Sequence, residues 1–367
     1  MKKSLIALAV VAASGAAMAQ SSVTLFGIVD AGLAIGDGSL ADRTRLVNSG
    51  YNSSRLGFRG VEDLGGGMRA GFWLEAGVNN DDGTGAASQN NNQAAAGSLP
   101  DARLQGLTFN RRSTVSVGGA WGEVRLGRDY TPHFWTLTAF DPFGTNGVGT
   151  TQTLNSATGS NTQVRASNAI GYMYGMGFNG NSFTFAPGLN VFVQTYFGEN
   201  ASASSTGVAN ANKNDGSGTS FRVGYNAGPV ALAYAYGSTK YVAGNISTTN
   251  LGASYNLGVA NVMGLWNQDK NSVSGVKQTG FTIGATAPLG SGELRAAYST
   301  SESSGGAKPS TDKWAIGYVH NLSKRTALYG TFANVKNSNG ATQALNGSVT
   351  AANGSSNGFD IGVRHSF

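Results

Sequence analysis

Residues Asn357 to Phe367 read N-G-F-D-I-G-V-R-H-S-F. In an extended chain Phe359, Ile361, Val363, His365 and Phe367 fall on one face, and Asp360, Gly362, Arg364 and Ser366 on the other. An aromatic residue stands at each end of the mostly apolar face. The chain stops at the second of these, so this strand has no hairpin partner after it. Unless it pairs with the first strand, it leaves an open edge. An open edge is forbidden in a bilayer, because unpaired N–H and C=O groups find no water there. The stretch therefore predicts the seam of a closed transmembrane β-barrel.

Working outward, composition fits that reading. Glycine numbers 55 of 367 residues, about double the usual share of ~7%. Charged residues make up 12%, about half the usual share. No helix-length apolar run and no convincing amphipathic helix follow the N-terminal segment, so the pattern is one of many short alternating strands joined by Gly/Asn/Ser loops. Residues 1–19 read as a signal peptide: Lys2 and Lys3 form its basic region, Leu5 to Ala13 its apolar core, and Ala17-Met18-Ala19 its cleavage signal. The apolar run is too short for a spanning helix. Of 25 basic and 19 acidic residues, removal of Lys2 and Lys3 leaves 23 against 19, or +4, too little to imply nucleic acid. With no cysteine, disulfides and thiol chemistry are excluded.

The first strand, S-V-T-L-F-G-I-V-D-A-G-L, puts Val23, Leu25, Gly27, Val29, Ala31 and Leu33 on one face and Asp30 on the other. Residues 52–77 read as a hairpin turning at E-D-L-G-G-G. Its polar side carries Arg55, Arg59, Arg69 and Glu75, which suits a water-filled lumen. Residues 80–103 form a long polar loop. A second hairpin turns at Gly118 to Gly122. Val115 and Val117 set a parity that puts Arg112 inside and Arg111 outside, unless a bulge near Arg111 reverses it.

The connection from Tyr130 to Thr162 is aromatic first and small and polar later. A surface loop has little reason to be so apolar, and connections this long are usually functional or disordered; this one is expected to fold against other protein inside the barrel. From Gln163 the chain becomes a hairpin series. Short turns fall at Gly175–Asn181, Asn226–Pro229, Asn256–Val259, Pro288–Gly292 and Asn321–Lys324, and longer polar loops lie between them. Seven short turns alternating with eight longer connections give about 16 strands, an even number as bacterial barrels require. Thr326 to Val335 shows no clean parity.

Several motifs carry a resemblance. They are S-S-V-T-L-F-G-I-V-D-A-G at 21–32, S-R-L-G-F-R-G-V-E-D-L-G-G-G at 54–67, F-N-R-R-S at 109–113, W-G-E-V-R-L-G-R-D-Y at 121–130, and the terminal aromatic strand. Together they span the mature chain, residues 20–367, and the chain resembles the general porins of β-proteobacteria, Neisseria-type and anion-selective Comamonas-type among them. The resemblance implies a 16-stranded homotrimer in the outer membrane, bedded in lipid and lipopolysaccharide. It implies passive transport of small hydrophilic solutes and anions, and a third external loop, 130–162 by position, folded inward as a constriction. By motif Arg55, Arg111 and Arg165 would form a basic cluster facing that loop, with Arg112 the alternative to Arg111, Arg59 nearby and Glu75 as acidic partner. Asp129 and Asp141 are the loop's few charges, and Asp141 in D-P-F also reads as a turn residue. Phe367 would belong to the signal read by the barrel-assembly machinery.

Two other classes compete. An outer-membrane hydrolase would need a nucleophile and base, yet His133 in the long loop has no local Ser/Asp signature, and His320 and His365 lie in strands. A secreted soluble β-protein would have to explain the terminal phenylalanine and the aromatic loop. Asp81-Asp82-Gly83 lacks the ligand spacing of a calcium loop, and G-G-G at 65–67 is not followed by a helix that would make a phosphate site. No cofactor or metal is implied.

Overall fold

A computed structural model describes residues 22–88, 91–93, 106–154, 160, 162–179 and 182–367. The expected signal peptide and most of the 80–103 loop lie outside the described residues. In chain order the first strands are β1 (Ser22–Gly38), β2 (Arg43–Asn48), β3 (Arg55–Gly65), β4 (Met68–Asn79), β5 (Thr84–Gly85), β6 (Arg112–Gly119) and β7 (Gly122–Tyr130). Among the described residues an α-helix, α1 (Pro132–Ala139), and a short 3-10 helix (Gln152–Leu154) precede β8 (Arg165–Tyr174), β9 (Met176–Asn179), β10 (Ser182–Phe185) and β11 (Gly188–Tyr196). Then follow β12 (Gly218–Ala227), β13 (Val230–Thr239), β14 (Ile246–Asn256), β15 (Asn261–Asn271) and β16 (Lys277–Leu289). The last are β17 (Gly292–Ser303), β18 (Ser310–Asn321), β19 (Thr326–Ser338) and β20 (Ser355–Ser366).

Sixteen of these, β1, β3, β4, β6, β7, β8 and β11 to β20, close an antiparallel ring. The seam lies where the last strand predicts it. β20 pairs with β19 on one edge and with β1 on the other, from Ile28↔Ser366 to Gly38↔Ser356. Gly27 and Phe367 exchange both backbone hydrogen bonds, at 3.0 and 3.1 Å. The ring thus leaves no edge there for the bilayer to strand.

The two faces of the wall are inverted relative to a water-soluble sheet. Leu25, Val223, Leu232, Leu251, Ile283, Ile316 and Ile361 are exposed, whereas Ser220, Arg222, Asn250, Thr282, Ser299 and Lys313 are buried. One strand alone cannot reveal this inversion; the closed ring does, because its apolar side is the outer one. The spanning strands are mostly 10–13 residues long, enough for a tilted bilayer crossing.

Three local features depart from simple alternation. β2 and β3 share one edge of β1 and are separated by residues 49–54. Asp30, wholly buried, gathers that interruption: its carboxylate accepts the amides of Gly50, Tyr51 and Asn52 at 3.3, 2.9 and 2.6 Å, and the Tyr329 hydroxyl at 2.7 Å. The expected short turn at Gly175–Asn181 is instead a longer excursion, since β9 and β10 pair as a separate hairpin before β11 begins. Finally, β19 turns both Tyr329 and Val335 to the inner side with Ala327 and Ala333, while Leu328 faces out. Apolar side chains on both faces erase the period-two signal there.

A basic cluster opposite the long loop

The helix α1 begins at Thr131 with Pro132 in its first turn, where a missing N–H costs nothing and the ring presets φ. It has no apolar stripe, because His133, Phe134, Trp135, Thr136 and Leu137 are all buried. The segment that follows runs along the polar side of the wall. His133 Nδ1 lies 2.9 Å from Ser220 Oγ on β12, and its carbonyl accepts Asn250 Nδ2 of β14 at 3.2 Å. Thr151 meets Thr282 of β16 at 2.5 Å, and the Gln152 amide donates to Ser299 of β17 at 3.2 Å. Lys313 of β18 donates to the carbonyls of Val148 and Thr150, and Asp360 of β20 accepts the Val148 amide at 2.7 Å.

Close approach requires glycine at several of these contacts. A Cβ on Gly252 would strike the Phe140 ring, and one on Gly280 or Gly358 would lie 2.5 Å from Thr153 or Val148. Glycine on the polar side of β12 to β20 is thus a docking surface for the loop as well as a composition bias.

Across from it, β3, β4, β7 and β8, with the residue before β6, bring together Arg55, Glu75, Arg111, Tyr130 and Arg165. Glu75 accepts Arg111 Nε at 2.6 Å, lies 3.5 Å from Arg55, and takes the Trp73 indole N–H at 2.9 Å on its other oxygen. Tyr130 is the hub: its hydroxyl accepts Arg111 at 2.5 Å and Arg165 at 2.7 Å, and Arg165 lies over its ring at 4.3 Å. Three guanidiniums share one carboxylate, which leaves two net positive charges. Charge-assisted bonds hold the fork of each arginine in place.

Both Arg111 and Arg112 turn to this side, which corrects the expectation that Arg111 points outward. Arg111 precedes β6, so strand parity does not govern it; its amide bonds the Glu75 carbonyl at 3.1 Å while Arg112 pairs with Glu75 in register. Arg112 belongs to a second row with Arg125, Asp129 and Glu123. Asp129 receives Arg112 and Arg125 at 2.7 Å each, and Arg125 also reaches Glu123 at 2.8 Å. Arg59 is set apart from the first cluster and lies against both rings of the edge-to-face pair Phe26 and Trp73, 5.0 Å from each centroid.

Asp141 does not face the arginines. Its carboxylate accepts the amides of Phe143, Thr145 and Thr151 at 3.0, 3.0 and 2.9 Å and so ties the loop into a knot. Burial holds that carboxyl above its usual range. His133 is driven down to about 4 by burial and stays neutral at physiological pH. Ser220 stands beside it, yet both are 2% exposed and no carboxylate bonds the imidazole among the described residues, so no triad forms. His320 and His365 sit on the outer surface with Ser291 and Thr326. Arg125 and Glu123 escaped notice in the sequence although they alternate with the outward Val124 and Leu126. Tyr130 carried no signal at all.

A closed barrel with an apolar belt outside and a polar, arginine-bearing interior is a water-filled pore of the outer-membrane type. The chain belongs to the Gram-negative porin family, whose pattern matches residues 5–340. It is 39% identical, over the full length of both chains, to outer membrane porin protein 32 of Delftia acidovorans. It is 28% identical, again over both full lengths, to an outer membrane porin protein of Bordetella pertussis. Among solved structures, the anion-selective porin from Comamonas acidovorans matches with a TM-score of 0.76 and 35% identity, covering 95% of this chain and 100% of that one. The trimer form of OmpT from Vibrio cholerae shares the fold at a TM-score of 0.62 and 14% identity, covering 95% of this chain and 99% of that one. The chain is therefore an outer-membrane, multi-pass β-barrel and a general diffusion porin, from a family of channels rather than enzymes.

Proposed function

We propose that this porin prefers anions and that the segment 130–162 narrows its lumen as an inward-folded third loop. The observation that carries the reading is an imbalance of charge. Arg55, Arg111 and Arg165 share only Glu75, and residues 131–154 offer no carboxylate in return, because Asp141 is spent on the loop's own amides. Low-dielectric walls focus such a field, and rings or ladders of arginine select anions. The anion-selective Comamonas porin, similar over nearly the whole chain, supports the same reading.

The active form is a homotrimer in lipid and lipopolysaccharide, matured by removal of residues 1–19 and inserted by the barrel-assembly machinery with Phe367 in its recognition signal. The trimeric OmpT fold supports the assembly. Reconstituted in planar bilayers under a potassium chloride gradient, the wild-type protein is expected to show stepwise conductance with a zero-current potential on the chloride side. The preference should weaken at high salt, because the Debye length falls from about 10 Å at 0.1 M to about 3 Å at 1 M. A pore that prefers potassium at 0.1 M would refute the proposal.

A further inference from the structure

Two connections lie against the polar inner side of the ring, and they come from opposite ends of the barrel. Residues 131–164 join β7 to β8 at one end, and residues 175–187 join β8 to β11 at the other. The second connection turns off the wall at Gly175. Its φ of +64° lies in the left-handed region, and a Cβ there would strike the Leu189 carbonyl. The Ala186 amide donates to the Gly175 carbonyl at 2.8 Å and closes the base of the β9–β10 excursion. That base is turned inward. Met176 packs against Tyr130, Phe134, Trp135, Met173 and Phe192, a cluster that includes two side chains of α1. Phe185, half-buried, lines a cavity of about 530 Å³ that Arg55 lines from the wall and Thr138 and Asn146 line from the long loop.

Arg222 fixes where that ring sits. It projects from β12 on the same side as Ser220, the neighbour of His133. The side chain is 1% exposed, its Nη1 donates to Asn190 Oδ1 of β11, and its Nε has no hydrogen-bond partner. Among the described residues no carboxylate pairs with it. Instead its guanidinium lies 4.1 Å from the centroid of the Phe185 ring. A buried guanidinium without an acid is costly, and an aromatic face is a group that offsets this without adding charge. Gly224 leaves the space for it, since a Cβ there would lie 2.7 Å from Arg222 Nη1. The arginine is held by the wall on one side and covered by one ring on the other, so the position of the ring follows the arginine.

We infer that Phe185 is a second size-determining side chain of this pore, set from the end opposite the long loop, and that Arg222 is its positioning residue. A rigid ring takes cross-section from every solute, whatever its charge. The inference needs only the general diffusion already assigned to the barrel and is independent of the anion preference.

The test uses the full protein in liposomes, with swelling rates measured in arabinose and sucrose, both neutral. Phe185→Ala should raise the sucrose-to-arabinose ratio about threefold, because the width of the pore limits the larger sugar most. Phe185→Leu, a milder change that keeps bulk and loses the ring face, should move the ratio the same way by less. Arg222→Gln should reproduce the Phe185→Ala rise, and the two substitutions together should add nothing to either alone, as expected of residues that act as one unit. Arg222→Lys, which keeps a cation under the ring, should return the ratio most of the way to wild type; an arginine needed only for folding would change the amount inserted and leave the ratio alone. A wild-type ratio in inserted Phe185→Ala and Phe185→Leu pores overturns the inference. A raised ratio that Arg222→Gln does not reproduce, or that rises again in the double variant, overturns the positioning role of Arg222.

Discussion

The two halves of the wall present the same polar side to the lumen and fill it in opposite ways. From β3 to β8 that side holds Arg55, Arg59, Arg112, Arg125 and their carboxylate partners. From β12 to β20 it holds mainly Ser220, Asn250, Thr282, Ser299 and a set of glycines, with Arg222, Asp269, Lys313 and Asp360 as scattered charges. The first half leaves charge uncovered. The second is covered by the loop, which exchanges hydrogen bonds with it strand after strand. On the proposed function this is a division of labour: one half would set the field, and the other would fix how far from that field the opposite surface stands. The charged groups on the docking half, Lys313 and Asp360, are spent on the loop's own backbone.

The contrast can be broken from either side. The largest effect is expected from Arg55→Gln with Arg165→Gln. Two unit charges removed at about 6 Å in a watery lumen change anion and cation energies in opposite senses, which after screening at 0.1 M lowers the chloride-to-potassium permeability ratio about tenfold. The zero-current potential in a 0.1 M gradient reads this directly. An unchanged potential would spare the pore but remove these residues from its field. Deletion of Phe134 to Gly147 acts on the other half. Single-channel conductance should rise well above the wild-type value and larger solutes should pass, with much of the selectivity lost as charge and facing surface separate. Wild-type conductance in correctly assembled protein would place the loop elsewhere.

Acid should loosen the docking through His133. Its imidazole is held at about 4 by burial, below the ordinary value of about 6.5. Its contribution is therefore complete above pH 6.5 and is lost as pH falls toward 4, by up to about 3 kcal/mol. Asp141, whose carboxyl is raised by burial, works in the opposite sense. A His133→Gln comparison isolates the histidine. Wild-type channels should flicker more as pH drops from 7 to 4.5, and the variant should lack that increment. Equal behaviour of the two would show that the imidazole is not what acid releases. The smallest effect is expected from Gly252→Val. The added methyls meet the Phe140 ring, and overpacking of this kind costs about 1–3 kcal/mol. Single-channel records should show a broader spread of levels; one sharp wild-type level would mean that Phe140 is not seated on β14.

How much of this was legible beforehand depended on whether a rule of period two applied. It did along β1 and β20, so the split of Leu25 from Asp30 and of Ile361 from Asp360 onto opposite faces followed from alternation, while only the closed ring fixes which face is outward. It failed at Arg111 because that residue stands one position before its strand and takes its direction from Glu75 instead. It failed in β19, where Tyr329 reaches Asp30 and Val335 packs among Phe143, Val148 and Leu345. Such inward apolar side chains answer to the loop, which no local pattern describes. The same holds for Asp141: a carboxylate among aromatics reads equally well as a pore charge or a turn, and only three converging amides decide between them. The helix at Pro132 went unseen because its residues are buried on all sides, so it has no polar face to mark its period.

The seam also has a meaning in time. Ile28 pairs with Ser366 and Gly38 with Ser356, so the earliest strand of the ring is completed by the last. Neighbouring hairpins can form as soon as both of their arms exist, but this pairing bridges nearly the whole chain, and contacts of such separation form late and slowly. Until then both β1 and β20 carry a row of unsatisfied backbone groups, a template for pairing with the wrong chain. The barrel is therefore most vulnerable in the interval before closure, and a cell that makes it needs something to keep those two edges apart from every edge but each other.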